Sequence, residues 1–89
     1  MAINKDEIIN NICYTELVYG RINKKLKTNY SKDQIEKLIS DLLKITSQDN
    51  YSKIGKNYYI TNIDKKIRVT VNSNTYRVIT ADKLKEGTQ

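Results

Sequence analysis

Two arginines, Arg68 and Arg77, occur in alternating apolar and polar segments alongside Tyr59, Thr61 and Thr70, a combination suited to gripping a ligand rather than breaking a bond. A guanidinium offers parallel N–H donors to a phosphate, threonine hydroxyls add hydrogen bonds, and a tyrosine ring stacks on an unpaired base. A second basic group, Arg21, Lys24, Lys25 and Lys27, crowds one short stretch, and Lys56 stands just before the tyrosine-bearing segment. The competing interpretation is an ordinary solvated surface, its β-branched residues chosen for strand propensity and its lysines for solubility.

Reactive chemistry has few carriers here. The chain has no histidine and one cysteine, Cys13, which removes the usual general base near neutral pH, the common zinc constellations and any internal disulfide. No glycine-rich phosphate loop or nucleophile elbow is present. The carboxylates, from Asp6 and Glu7 to Asp82 and Glu86, fall mostly at expected helix starts, outer helix faces and turns, without a converging pair. The expectation is therefore a non-enzyme with no cofactor and no metal site. A magnesium-dependent nuclease is the one catalytic alternative left open.

These side chains need elements to position them. Ser31 and Gln34 form a capping box, with Tyr30 and Ile35 at the positions of a hydrophobic staple. Ile35, Leu38, Ile39, Leu42 and Leu43 then recur at helical spacing. Before it, Thr15 can cap a helix reaching about Lys27, with Leu17, Val18, Ile22 and Leu26 on its apolar side and Arg21 and Lys25 flanking the seam. A shorter first helix is expected from about Lys5 to Cys13, capped by Asn4, with Cys13 packed rather than reactive.

Beyond Thr46 the period changes to two, and strand structure is expected from about Asn57. Turns at Asp64-Lys65 and Ser73-Asn74 would pair Tyr58 with Val71, Ile60 with Val69, Val71 with Tyr76, and Val69 with Val78, all on one apolar face. The opposite face would carry Tyr59, Thr61, Arg68, Thr70, Arg77 and Ile79, with Lys53 and Lys56 entering from the preceding segment. The tail after Thr80 is expected to add a short turn at Leu84 and then fray.

The predicted fold class is α+β: two to three N-terminal helices followed by a three-stranded antiparallel meander, helices on one sheet face, with a winged-helix-like variant as the alternative. At 89 residues the chain reads as one domain, 1–89, with seven tyrosines as its only aromatics, so each buried tyrosine hydroxyl must reach a partner or water. The net charge of +6 favours an anionic partner. No stretch reads as a signal peptide or membrane span, so a cytoplasmic location is expected, with no membrane partner. A helix-turn-helix built on the second and third helices is disfavoured, because the third helix mixes Lys32, Lys37 and Lys44 with Asp33, Glu36 and Asp41.

The segments Ile12 to Asn23, Gly55 to Asn62 and Val71 to Thr80 resemble a family of short bacterial proteins of unknown function. The resemblance covers nearly the whole chain. It implies a small cytoplasmic bacterial protein, with a mobile element as one source, and it supplies no assigned activity and no catalytic or ligand-binding residue.

The functional expectation is a small basic, non-catalytic protein that engages RNA, single-stranded nucleic acid or a ribonucleoprotein through Tyr59, Arg68, Arg77 and Lys56, helped by Arg21, Lys24 and Lys25. The alternatives are a protein-interaction or inhibitor domain from a mobile element or phage, such as an anti-CRISPR-like inhibitor of a host nuclease, and a homodimeric DNA-binding regulator. In the interaction version, an exposed sheet edge at the Tyr58 or Tyr76 strand would pair with a partner.

Overall fold

Capping chemistry sets the helices in the computed structural model, which describes residues 3–84. Asn4 caps α1 (Lys5–Asn11) by accepting from the Glu7 amide at 3.0 Å. Ser31 and Gln34 form the full capping box at the start of α3 (Lys32–Ile45). Between them α2 (Glu16–Leu26) has Thr15 at its N-cap, but no side-chain bond from Thr15 closes the cap. The first helix therefore ends before Ile12, short of the expected Cys13. Cys13 itself is exposed and not packed, because its backbone pairs with the β-sheet instead.

The sheet has four strands rather than the three expected: β1 (Tyr51–Ile54), β2 (Asn57–Asn62), β3 (Ile67–Asn72) and β4 (Val78–Lys83), antiparallel in the order β1-β2-β3-β4. The strand that was missed is brought in by a two-residue turn in which Gly55 takes the first central position at φ 60°, the place a II′ hairpin turn reserves for glycine. Consequently the Tyr58 strand lies inside the sheet, with β1 at one edge and β4 at the other.

The first expected hairpin register is observed, with Tyr58 opposite Val71 and Ile60 opposite Val69. The second is displaced. Asn72 Oδ1 accepts from the amides of Asn74 and Thr75 at 2.8 and 2.9 Å, holding the chain in a loop through Arg77, with Tyr76 in the left-handed region at φ 59°. Val71 then faces Val78 instead of Tyr76, and a bulge beside Thr70 makes Val69 face Ala81. The bulge lets Val78 and Ala81, three residues apart, both turn inward; they are 2% and 0% exposed. Residues 81–83, expected in the tail, are strand, and in place of the turn expected at Leu84 the Leu84 amide donates to the Lys66 carbonyl at 2.8 Å; the fraying expected further on lies outside the described residues.

One apolar cluster joins the helices to this sheet face, with Ile8, Ile22, Ile35, Ile39 and Leu43 against Ile60, Val69, Val71 and Val78. Leu17, expected on the apolar side of α2, is instead 82% exposed. Tyrosine hydroxyls meet the requirement that burial imposes. Tyr51, on the edge strand, donates to the Leu43 carbonyl at 2.6 Å, Tyr19 to Glu36 at 2.6 Å and Tyr76 to Glu7 at 3.0 Å. Lys5 closes the C-terminal end of α3 by donating to the carbonyls of Lys44 and Thr46 at 2.8 and 2.7 Å, a cation at the negative end of a helix.

Candidate anion-binding surface

The flank of α2 opposite α3 lies along β4. Cys13, just upstream, extends the sheet there: its amide donates to the Tyr76 carbonyl and its carbonyl accepts from the Val78 amide, both at 2.9 Å. This short parallel bridge starts α2 at the N-terminal end of β4 and sends it toward Asp82, where Lys25 closes an ion pair at 3.6 Å. The helix buries Val18, Ile22 and Leu26, which leaves Leu17, Gly20, Arg21, Lys24 and Lys25 on its solvent side at spacings of one, three and four residues.

Arg77 enters this arrangement from an unexpected place. The displaced register sets it beside Asn72, whose amide donates to the Arg77 carbonyl at 2.9 Å, four residues along β3 from Arg68, or about 14 Å at ~3.4 Å per residue. The pairing of Arg77 with Arg68 on neighbouring strands is therefore corrected. Arg77 instead meets Arg21 across a cleft of about 230 Å³ whose remaining walls are Thr15, Leu17, Val18, Val78 and Ile79. Arg21 also shares a shallow groove with Gly20, Lys24 and Lys25.

The outward sheet face carries the other half of the expected site. Tyr59, Thr61, Arg68 and Thr70 do share it, and the Arg68 guanidinium carbon lies 5.6 Å from the Tyr59 ring centroid. Asp82 sits opposite Arg68 on β4 and pairs with Lys25, so the sheet face and the α2 flank meet at this carboxylate. Lys53 is corrected as well, since it stands opposite Tyr58 and takes that residue's side of the sheet. Lys56 is at the tip of the β1–β2 turn, five residues from the Arg68 partner Thr61, about 17 Å away along the strand. Its carbonyl accepts from the Ser73 amide at 2.8 Å, which puts it at the loop end of the sheet, and it lines neither the cleft of Arg21 and Arg77 nor the groove of Lys24 and Lys25.

Six of the seven expected site residues thus form one band: Arg77 and Arg21 across the cleft, Lys24 and Lys25 further along α2, then Arg68 on Tyr59. Asp82 is the member that sequence reasoning missed. The signal for it was the strand-forming run Val78, Ile79 and Thr80, which carries past Thr80 only with a bulge allowed. Among the described residues, no ion pair involves Arg21, Lys24 or Arg77. Thr70 is buried, so the Thr61 hydroxyl and the Tyr59 ring stand at one end of cations that have no ion pair among the described residues, and such an array can hold a chain of anionic groups.

Elsewhere the chemistry is sparse. No group of three or more His, Cys, Asp or Glu side chains is arranged to hold a metal ion among the described residues. A cleft of about 260 Å³ lined by Leu38, Asp41, Leu42, Ile45, Lys65 and Ile67 is mainly apolar and involves no residue of the band. No helix among the described residues is long and apolar enough to cross a membrane.

Comparison with known proteins gives one family. Residues 6–82 match the family model described as Protein of unknown function (DUF3781). No curated protein and no solved structure matches the chain.

Proposed function

We propose that this chain, which belongs to the family of proteins of unknown function DUF3781, is a non-catalytic module that binds the phosphate backbone of a nucleic acid. The observation that carries the proposal is the convergence of Arg21 and Arg77 on one cleft, with Lys24 beside Arg21 in the adjoining groove and no ion pair to any of the three among the described residues. A surface for solubility alone needs no such convergence, and mixed signs serve it better. Two of the three are arginines, whose forked donors match phosphate oxygens.

The experiment is a fluorescence-anisotropy titration of labelled RNA, single-stranded DNA and duplex DNA at two salt concentrations, with the wild type and an Arg21→Ala/Arg77→Ala variant. Wild-type affinity should fall with salt. The variant should bind at least about tenfold more weakly, and its salt slope on a single strand should shrink by about 1.4, two contacts at roughly 0.7 each. Equal affinity of variant and wild type would sink the assignment of this surface.

A second reading, a protein-interaction domain, draws on one feature: β1 is a short edge strand with Ile54 67% exposed. A second copy pairing edge to edge there would make a dimer. Lys53 on the same strand opposes that, since a lysine on an edge discourages pairing. A monomeric mass in light scattering at high concentration would remove the stable-dimer version.

A further inference from the structure

We infer that Tyr59 and Arg68 form a base-stacking subsite at the end of the cationic band, so that the ligand is single-stranded nucleic acid and not duplex. The inference rests on the backbone-binding reading above and sharpens it to one ligand class.

The argument starts from the outward sheet face. Across the strands, Tyr59 is flanked by Ser52 and Thr70, and Arg68 by Thr61 and Asp82. All four neighbours are short, so the ring and the guanidinium are the two large flat groups on this part of the face. Arg68 is exposed and lies over the ring at 5.6 Å. That contact holds the guanidinium close to the ring while leaving Arg68 open to solvent. A nucleobase can stack on the guanidinium or take its place on the tyrosine.

Position relative to the band decides between ligands. Asp82, opposite Arg68, is tied to Lys25 at 3.6 Å, so a backbone tracked along Arg77, Arg21 and Lys25 arrives beside the stack. An unpaired base there can turn onto the platform with no prior cost of opening a pair. In a duplex the same base is already stacked and paired, and its π-face is out of reach without a cost of a few kcal/mol. The platform therefore rewards single strands, and it does so without reading sequence, since every base has a π-face.

The test uses labelled oligothymidine, an abasic strand of equal length and charge, and a duplex of that length compared at equal phosphate concentration. Wild type should bind oligothymidine about tenfold or more tighter than the abasic strand, the margin that stacking one base supplies. Tyr59→Val, which keeps a strand-forming side chain, should erase that margin with an unchanged salt slope, and Tyr59→Phe should keep it. Circular dichroism confirms that each variant is folded. Equal wild-type affinity for oligothymidine and the abasic strand would overturn the stacking subsite while leaving the cationic band standing. Tighter binding to duplex would overturn it as well. Binding to none of the three at low salt would remove both this inference and the reading beneath it.

Discussion

The two flanks of α2 treat charge in opposite ways. Toward α3, Glu16 pairs with Lys32, the Tyr19 hydroxyl donates to Glu36, and Lys32 lies 5.4 Å from the Tyr19 ring centroid. Toward β4, Arg21 and Arg77 share a cleft without an acid, and among the described residues Asp82 is the one carboxylate in an ion pair with the band. The same helix supplies both flanks, so the difference comes from what its neighbours bring. The face of α3 alternates lysine with acids, whereas β4 brings one threonine, aliphatics, a single aspartate and Lys83. Lysines without an ion pair are spread over the described residues, but both arginines of this cleft line a single opening.

The sharpest way to test that contrast is to remove the last counter-charge. Asp82→Asn frees Lys25 while leaving a side chain of nearly the same size. The Lys25–Asp82 pair is part-exposed, so its loss should hardly change stability. If Lys25 then gains a phosphate contact, affinity for a single strand should rise by about fivefold near 0.1 M salt, with a steeper salt slope. Weaker binding in an anisotropy titration would mean that Asp82 itself contacts the ligand, and that the flank is not a purely cationic track.

On the neutralised flank, the corresponding experiment is a pH titration of stability. The hydrogen bond to Glu36, reinforced by burial, pushes the Tyr19 hydroxyl from 10.0 up to about 12. Burial first, then the Glu36 carboxylate, raises Tyr14 as well, and burial with Asp6 raises Tyr51. A group raised in the folded state contributes stability that is complete below its unfolded value and is lost as pH climbs through the folded one. Denaturant midpoints should therefore fall from about pH 10 toward 12. Tyr19→Phe should flatten part of that fall. Arg21→Ala/Arg77→Ala should leave it unchanged, and a fall altered by the arginine variant would mean the flanks are coupled.

How much of this contrast was legible before the fold was seen depends on which interactions are local. The capping box at Ser31, the apolar stripe of α3 and the Tyr58–Val71 register all follow from short-range periodicity, and each is observed. The grouping of Arg21, Lys24 and Lys25 needed only helical spacing. What failed was what a side chain redirected. Asn72 took the loop amides that a two-residue turn would have left to strand pairing, and the bulge beside Thr70 absorbed one residue. Alternation counted through that loop placed Arg77 beside Arg68, when the backbone had carried it to Arg21. The strand β1 was missed because only one of its four residues is buried, so it shows no period-two pattern to read.

The smallest expected effect is the one that separates surface geometry from bulk charge. Lys32→Ala deletes an exposed ion pair with Glu16 and an exposed cation over Tyr19, contacts worth together about 1 kcal/mol or less, so the melting temperature should drop by only a few degrees. It also lowers the net charge by one, and Arg21→Ala lowers it by the same amount. If binding followed net charge, the two variants would weaken it equally. On the present reading they should differ. Lys32 belongs to the neutralised flank, off the band, and at physiological salt a charge is screened beyond about 8 Å. Its removal should leave affinity within the error of a titration in which Arg21→Ala shows a clear loss. Equal losses would show that the protein attracts polyanions by its total charge and that the cleft between α2 and β4 has no special part in it.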